Sequence, residues 1–188
     1  MKRIILGSNS PRRRELLAGL EIDFTVDTGN SFKEHVEPGV EAHEVPRRLS
    51  AGKSHGFHRP LEADEVLITS DTVVIVENEV LGKPRNRKEA IDMLRRLSGR
   101  VHEVVTAVTL RDCEKEETFS VSTRVHFEEL AEAEIEHYVD QYKPFDKAGA
   151  YGIQEWIGYV GISSIEGSFY NVMGFPVHRV WHELQRFL

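Results

Sequence analysis

The chain has 188 residues, of which 24 are Lys or Arg and 31 are Asp or Glu, so its formal net charge is −7. A hydrophobic fraction of 40% and a charged fraction of 29% are ordinary for a globular protein. This composition excludes a chain that is disordered, collagenous or coiled-coil throughout. The length predicts a single domain over residues 1–188, large enough to bury a core without disulfides.

Cysteine usage and hydropathy indicate the compartment. The single Cys113 cannot form an intramolecular disulfide, which fits a reducing environment. No apolar run approaches the roughly 18 residues of a membrane span, and Ile4–Leu6 is too short for a signal-peptide core. We therefore expect a cytoplasmic protein with no membrane partner. The acidic balance argues against broad nucleic-acid binding, which requires a basic surface.

Strands and helices alternate over the first hundred residues. Apolar and β-branched runs predict short strands at Ile4–Leu6, Phe24–Val26, Val66–Ile68 and Val73–Val76. Apolar residues at helical spacing predict helices over 12–20, 41–55 and 88–97. Ser10 and Pro11 suit the cap and first turn of the first helix, while Pro46 kinks the second helix or marks its beginning.

The second half begins with a predicted antiparallel hairpin of Val101–Leu110 and Thr118–Phe127. An amphipathic helix follows over 130–139, and its inward residues are Leu130, Ile135, Tyr138 and Val139. We then predict a loop over 145–152, a strand at Ile157–Ile165 and a closing helix over 176–188. The buried stripe of that last helix is Val177, Val180, Trp181 and Leu184. This order of elements predicts an α/β or α+β fold with a mixed sheet.

The turn between the first strand and the first helix suits an anion. A helix N-terminus presents unpaired N–H groups and the positive end of the helix dipole. Ser8 and Ser10 add hydroxyl groups, and Arg12 and Arg13 add forked donors that match phosphate oxygens. On composition alone, a solvated basic turn is an equally good interpretation.

Asp71 interrupts a run that is otherwise apolar or β-branched from Val66 to Val76. A carboxylate in such a run is costly unless it is exposed, paired or bound to a metal. It is therefore a candidate metal ligand or general base. The alternative is a turn or cap between two strands.

Three later polar residues are weaker candidates when taken singly. Lys83 follows a short strand, where a solvated lysine is the ordinary interpretation. Lys147 lies among small residues that would let the backbone approach a ligand closely. Gln154 carries the paired donor and acceptor that can recognise the edge of a base.

Six segments together carry a specific pattern. They are Ser8–Leu17, Ser70–Val74, Gly82–Pro84, Leu97–Gly99, Asp146–Gln154 and Gly167–Pro176. In this order they resemble the Maf family of nucleoside triphosphate pyrophosphatases, over nearly the whole chain. The resemblance implies a fold like that of inosine triphosphate pyrophosphatases (Maf/Ham1), with a bent mixed sheet, flanking helices and a cleft between two lobes.

The resemblance also implies an activity and its residues. The expected reaction is hydrolysis of a nucleoside triphosphate to the monophosphate and pyrophosphate with a divalent metal, Mg²⁺ or Mn²⁺. Asp71 matches the proton acceptor of the family. Arg12, Thr72 and Gln154 match the positions that distinguish the branch acting on dTTP and UTP from the branch acting on 7-methyl-GTP, and the string Gly149–Gln154 indicates the first branch.

Further roles carry over from the same alignment of motifs. Phosphate contacts are expected from Ser8, Arg13, Lys53 and Lys83. Glu34 matches an acidic residue that holds the metal together with Asp71, and Glu37 is its rival in a loosely matched loop. Under this hypothesis the acid-free first fourteen residues form one wall of a phosphate pocket.

One departure from the family pattern concerns base recognition. Glu155 follows Gln154 where the family has Gly, and we expect it to place a negative side chain beside the base pocket. Ser70 stands where Ala is common, with little expected effect.

Two alternatives remain open at this point. The first keeps the fold and changes the substrate to 7-methyl-GTP or another modified nucleotide. The second is a non-enzymatic regulator of cell division, since family members are associated with division arrest. A homodimer is expected from the resemblance only.

Overall fold

The computed structural model describes residues 2–188. Its strands are β1 (Arg3–Leu6), β2 (Phe24–Val26), β3 (Glu65–Val76), β4 (Glu79–Leu81), β5 (Val101–Arg111), β6 (Glu116–Phe127) and β7 (Ile162–Glu166). Its helices are α1 (Pro11–Ala18), α2 (Val45–His55), α3 (Arg87–Leu97), α4 (Glu132–Tyr142), α5 (Trp156–Gly161), α6 (Phe169–Met173) and α7 (Val177–Leu184). None of the helices within this range is both long and apolar enough to cross a membrane.

The seven strands form one mixed sheet in the order β2-β1-β3-β5-β6-β7, with β4 also paired to β3. Strand β1 is parallel to both β2 and β3, whereas the β3–β4 and β6–β7 pairs are antiparallel. The predicted mixed α/β class with a mixed sheet and flanking helices is therefore confirmed. The predicted hairpin is also present, because β5 and β6 are adjacent strands joined by a short turn.

The chain forms two compact units, and it passes from one to the other within β3, β5 and β6. The first unit contains residues up to Thr72, together with 106–121 and 174–188. The second contains residues 73–105 and 122–173.

The core of the first unit lies around the parallel strands β1 and β3. Its fully buried side chains include Leu6, Leu17, Val66, Ile68, Phe175, Val180 and Leu184. Helix α1 begins as the sequence predicts, because Pro11 occupies its first turn and the Ser10 side chain caps it. Pro46 likewise lies in the first turn of α2, so it marks the beginning of that helix.

Two predictions for the first unit are wrong. The runs on either side of Asp71 are one continuous strand, β3, so Asp71 is not in a turn between two strands. On the closing helix, Trp181 is exposed although Val180 and Leu184 are buried as predicted. Successive helical residues are rotated by about 100°, so Trp181 lies at the edge of the face on which Val180 and Leu184 are buried.

The core of the second unit packs α3 and α4 against the sheet residues of that unit. Ile91, Leu94 and Leu97 of α3 are buried, as are Ile135, Tyr138 and Val139 of α4. The acidic residues of the α4 region are not simply solvated. Glu132 pairs with Arg95, and Asp140 pairs with Arg87 at 2.7 Å, so acidic α4 is tied to basic α3.

The strand predicted at Ile157–Ile165 is wrong over its first half. Residues Trp156–Gly161 form helix α5, and only Ile162–Glu166 extend as β7. Short apolar runs do not distinguish a strand from a buried helix by periodicity alone. Here the helical form buries Ile157 and Gly161, four residues apart on one face. Helix α6 has no counterpart among the predicted elements.

A histidine is buried without charge in the second unit. His102 is 2% exposed, and its Nε2 lies 2.7 Å from the hydroxyl of buried Tyr151. The rings of His102 and Phe127 also pack edge to face. Burial lowers the pKa of His102 to about 4, because the charged imidazolium would lose its hydration.

This burial makes stability depend on pH. Unfolded His takes up a proton as the pH falls below about 6.5, whereas folded His102 stays neutral down to about pH 4. Stability is therefore complete above pH 6.5 and is lost as the pH falls towards 4. Between pH 7 and pH 5 the wild type should lose about 2 kcal/mol more unfolding free energy than His102→Gln. Urea denaturation at the two pH values measures this, with exposed His182→Gln as the control. Parallel pH profiles for the wild type and His102→Gln would contradict the assignment.

Candidate active site

The site in the first unit begins where β1 ends. Strand β1 lies between β2 and β3 in the sheet. The next two strands of the chain therefore lie on opposite sides of β1. In α/β sheets such a switch point at the carboxyl ends of parallel strands is the usual place for a ligand. Leu6 pairs with Ile68, and the Gly7 N–H donates to the Ile68 carbonyl at 2.8 Å. The loop from Gly7 to Ser10 therefore follows β1 directly.

Two hydroxyl groups shape this loop. The buried Ser8 Oγ accepts the Ser10 N–H at 3.2 Å, and the Ser10 Oγ accepts the Arg13 N–H at 3.5 Å. These contacts turn the chain from β1 into α1 and place Arg12 and Arg13 in the first turn of the helix. The predicted turn is present, and its serines order the backbone.

Arg13 connects this helix to β3 and to the segment before α7. Its Nε donates to the Gly174 carbonyl at 2.9 Å, and its Nη1 donates to the Ser70 carbonyl at 2.9 Å. Its Nη2 donates to Thr72 Oγ1 at 3.1 Å, and Nη1 also reaches Ser8 Oγ at 3.4 Å. We call these contacts the Arg13 clamp. Four of the five guanidinium donors are thereby engaged by protein.

The clamp surrounds Asp71 without using it. Ser70 and Thr72, the residues on either side of Asp71, are the two β3 residues that Arg13 holds. Burial lowers the pKa of the Arg13 guanidinium, and the Asp71 carboxylate acts in the opposite direction. An arginine remains protonated at neutral pH. The clamp therefore places a permanent positive charge beside Asp71 and orders the backbone that carries it.

Gly174 serves the clamp through its backbone. Its φ of +108° lies in a region that residues with a Cβ rarely adopt. The Gly174 carbonyl accepts two hydrogen bonds, from Arg13 Nε at 2.9 Å and from Thr72 Oγ1 at 3.5 Å. This acceptor could not be predicted from the sequence, because a backbone carbonyl has no side-chain signal.

A lysine holds two carboxylates together in the same unit. Lys53 Nζ, from α2, lies 2.6 Å from Asp71 Oδ1 and 2.9 Å from Glu34 Oε1. Asp71 is only 9% exposed, so its charge requires such a partner. We call Glu34, Lys53 and Asp71 the carboxylate pair with its lysine. The structure thus brings together three residues that lie far apart in the sequence.

Hydrogen bonds to the end of α2 hold the loop that carries Glu34. The loop before it is tied to the end of α2, since the Asn30 side chain donates to the Lys53 carbonyl at 2.5 Å and the Ser31 N–H donates to the Gly56 carbonyl at 2.8 Å. The rival Glu37 is exposed and makes no ion pair with any residue from 2 to 188. The geometry therefore favours Glu34 as the second carboxylate.

Two of the early basic residues have other roles. Lys2 pairs with Asp112 at 3.1 Å, and Arg3 pairs with Asp64 at 2.8 Å and Glu62 at 2.7 Å. The expectation that the first fourteen residues act together as a basic wall is therefore wrong. Acids distant in the sequence neutralise the first two cations, whereas Arg13 and Lys53 lie close to Asp71.

The second unit carries the remaining candidates. Lys83 is exposed after β4 and forms no hydrogen bond or ion pair within residues 2–188. Gln154 is half-buried just before α5, and its Oε1 is buried without a hydrogen-bond partner in that same range. Gln154 also lines a cavity of about 340 Å³ with apolar walls that include Ile153, Ile162 and Phe169. Gln154 is thus a polar residue in the lining of a mainly apolar cavity, which is the usual composition of a small-molecule site.

The clamp supports a prediction about stability. Replacing Arg13 with Lys keeps the charge but removes the fork, so one ammonium cannot reach the Gly174 and Ser70 carbonyls and Thr72 together. We expect Arg13→Lys to lower the free energy of unfolding by about 1–3 kcal/mol. Arg14→Lys is the matched control, because Arg14 is exposed on the same helix. Equal urea midpoints for the two variants would contradict the clamp.

Comparisons with known proteins identify the family of this chain. The family model for Maf-like protein matches residues 3–187. A protein of Parabacteroides distasonis named dTTP/UTP pyrophosphatase is 48% identical over 98% of this chain and 96% of its own length. One from Bacteroides thetaiotaomicron with the same name is 46% identical over 97% and 95%. A solved HAM1 protein from Coxiella burnetii aligns with 99% of this chain and 100% of its own, at 16% identity and a TM-score of 0.46. The chain belongs to the Maf family.

Proposed function

We propose that this protein hydrolyses nucleoside triphosphates, with dTTP and UTP preferred, to the monophosphate and pyrophosphate. The relatives named dTTP/UTP pyrophosphatase support this substrate class. The observation that carries the proposal is the carboxylate pair with its lysine, in which Asp71 is buried and held at 2.6 Å from Lys53. Residues 1–188 act in this proposal as one catalytic domain.

Asp71 is the proposed general base. A general base must be held in place within hydrogen-bond reach of the water that it deprotonates. Lys53 holds one carboxylate oxygen of Asp71, while the Arg13 clamp holds the strand on both sides of it. The side chain keeps 13% of its surface exposed, which leaves a route for water. Asp71 would orient the water for attack at the α-phosphorus.

Hydroxyl and cationic side chains would bind the phosphates. A triphosphate carries about four negative charges, and catalysis of phosphoryl transfer consists mostly of positioning and charge stabilisation. In the first unit the proposed contacts are Ser8, Arg12, Arg13 and Lys53. Arg13 has one guanidinium N–H that the clamp does not use, so its contribution is mainly its charge. Lys83 remains a proposed phosphate contact through its match to the family motif, and its exposed ammonium has no ion pair within residues 2–188.

Glu34 and Asp71 would hold a divalent cation, Mg²⁺ or Mn²⁺. Residues 2–188 contain no group of three or more His, Cys, Asp or Glu side chains placed to hold a metal. Two carboxylates nevertheless fit the donor set of Mg²⁺, which binds to one or two carboxylates together with substrate phosphates. A bound cation supplies charge neutralisation on the phosphate oxygens. Lys53, which now bridges the carboxylates, compensates their charge.

Gln154 is the proposed reader of the base. Uracil and thymine present a carbonyl acceptor beside an N–H donor, and a carboxamide offers the complementary donor and acceptor. The buried Gln154 Oε1, which has no partner within residues 2–188, matches the N–H of such a base. Arg12 and Thr72 remain proposed specificity residues, although Thr72 Oγ1 already accepts from Arg13 and contacts Thr106 Oγ1 at 2.9 Å.

The bond that breaks can be determined from the products. Incubation of UTP and Mg²⁺ with the protein in ¹⁸O-labelled water should give UMP and pyrophosphate, with the label in UMP, because water attacks the α-phosphorus. ³¹P NMR and mass spectrometry identify the products and the labelled atom. Parallel reactions with dTTP, CTP and 7-methyl-GTP test the preference. UDP with orthophosphate as products would exclude the proposed reaction, and faster turnover of 7-methyl-GTP would favour the alternative substrate class.

Removing the base tests the role of Asp71. The variant Asp71→Asn should fold but lose at least about 10²-fold in kcat, the usual scale for a general base. The matched control is Asp23→Asn, since Asp23 is exposed in the same unit. Circular dichroism verifies folding of both variants. A folded Asp71→Asn variant with nearly normal turnover would remove Asp71 from the mechanism.

A further inference from the structure

Glu155 stands beside the proposed base reader, but its side chain is directed into the second unit. Its carboxylate accepts a hydrogen bond from the Tyr138 hydroxyl through Oε2. Its other oxygen, Oε1, lies 3.2 Å from Lys147 Nζ. Both oxygens are therefore engaged by protein groups. The negative side chain expected beside Gln154 is therefore paired within the protein rather than free.

Tyr138 extends this network to the backbone. Its side chain is fully buried in α4, and its hydroxyl accepts the Gly152 N–H at 3.0 Å while it donates to Glu155. A buried hydroxyl that both donates and accepts fixes the relative position of its two partners. Glu155 and Gly152 are also joined directly, because the Glu155 N–H donates to the Gly152 carbonyl at 3.0 Å. The turn that carries Gln154 is therefore closed by two independent connections.

Lys147 closes the same turn from the other side. It is 9% exposed, and its ammonium lies 2.8 Å from Asp146 Oδ1 and 3.2 Å from Glu155 Oε1. A buried ammonium is stable only with such partners. Glu155 thus contacts both the buried tyrosine and the buried lysine.

Gly152 shows how tightly these side chains converge. A Cβ at this position would lie 3.0 Å from Lys147 Cε, 3.1 Å from Gln154 Nε2 and 3.1 Å from Glu155 Cδ. The lysine, the glutamine amide and the glutamate therefore all pack against one face of Gly152. A displacement of Glu155 would change the space in which the Gln154 amide rests.

We propose that Glu155 is a positioning residue that orients the Gln154 amide through Tyr138, Lys147 and the Gly152 turn, and so determines discrimination between nucleobases. This inference rests on the proposed function, in which Gln154 reads the base. Glu155 does not touch the substrate in this role. Its loss should weaken recognition of uracil far more than the chemical step, which is assigned to residues of the first unit.

The test compares base discrimination in matched variants. Glu155→Ala removes both contacts, and Tyr138→Phe removes only the hydroxyl that connects Glu155 to Gly152. Each should lower the ratio of kcat/KM for UTP to that for CTP about tenfold, mainly through a higher KM for UTP, with kcat changed less than about threefold. The double variant should lose no more than the worse single variant, because both act through one network. Glu155→Gln, which can still accept from Tyr138, should recover part of the ratio.

Controls separate this role from a general loss of structure. Glu129→Gln, at an exposed acid of the same unit, should leave the ratio unchanged, and thermal denaturation verifies that each variant is folded. Additive losses in the double variant, or an unchanged ratio in folded Tyr138→Phe and Glu155→Ala, would overturn the inference alone. A wild-type protein that cleaves no nucleoside triphosphate would instead overturn the proposed function, and this inference with it.

Discussion

One guanidinium group connects the parts of the chain on which the proposed active site depends. Arg13 holds the carbonyls of Gly174 and Ser70 and the hydroxyl of Thr72, so three distant segments meet at one side chain. A planar fork suits this task because its donors point in fixed, divergent directions. The result is that Asp71, between two held residues, lies on an ordered strand. The same cation compensates part of the negative charge of the two carboxylates nearby.

The position of Asp71 carries a cost that the surrounding residues offset. A carboxylate inside a buried strand loses hydration, and Lys53 replaces that hydration with an ion pair while Glu34 shares the same ammonium. This arrangement keeps the two acids together, because one oxygen of each contacts the same ammonium. The second unit follows a similar rule, since buried Tyr138 and Lys147 both use Glu155 as their acceptor. In both units a buried polar network holds a side chain that the proposed function requires.

Features that depend only on residues close together in the sequence were predicted correctly, and features that depend on distant residues were not. Ser10 and Pro11 predicted the start of α1 because capping and proline geometry act within one turn. The buried apolar faces of α3 and α4 were predictable because apolar residues that recur at helical spacing over three turns identify one face of a helix. Residues 157–161 were assigned to a strand, since a short apolar run fits either state until its neighbours are known. The sequence alone does not decide whether Asp71 lies in a turn or in a functional site, because the ion pair with Lys53 that accommodates a carboxylate within β3 is formed only in the folded chain.

The sequence by itself determined the mixed α/β class, most element positions and, through its motifs, the Maf family. It also marked Ser8, Arg13, Lys53, Asp71 and Gln154 as candidate site residues, because residue types and motifs can be recognised without a structure. Only the tertiary structure decided what each of them contacts. It assigned Lys2 and Arg3 to ion pairs with Asp112 and Asp64, made Arg13 a clamp and turned Glu155 inward. The physical reason is that hydrogen bonds and ion pairs depend on distances between groups far apart in the chain, and those distances exist only after the strands and helices have packed.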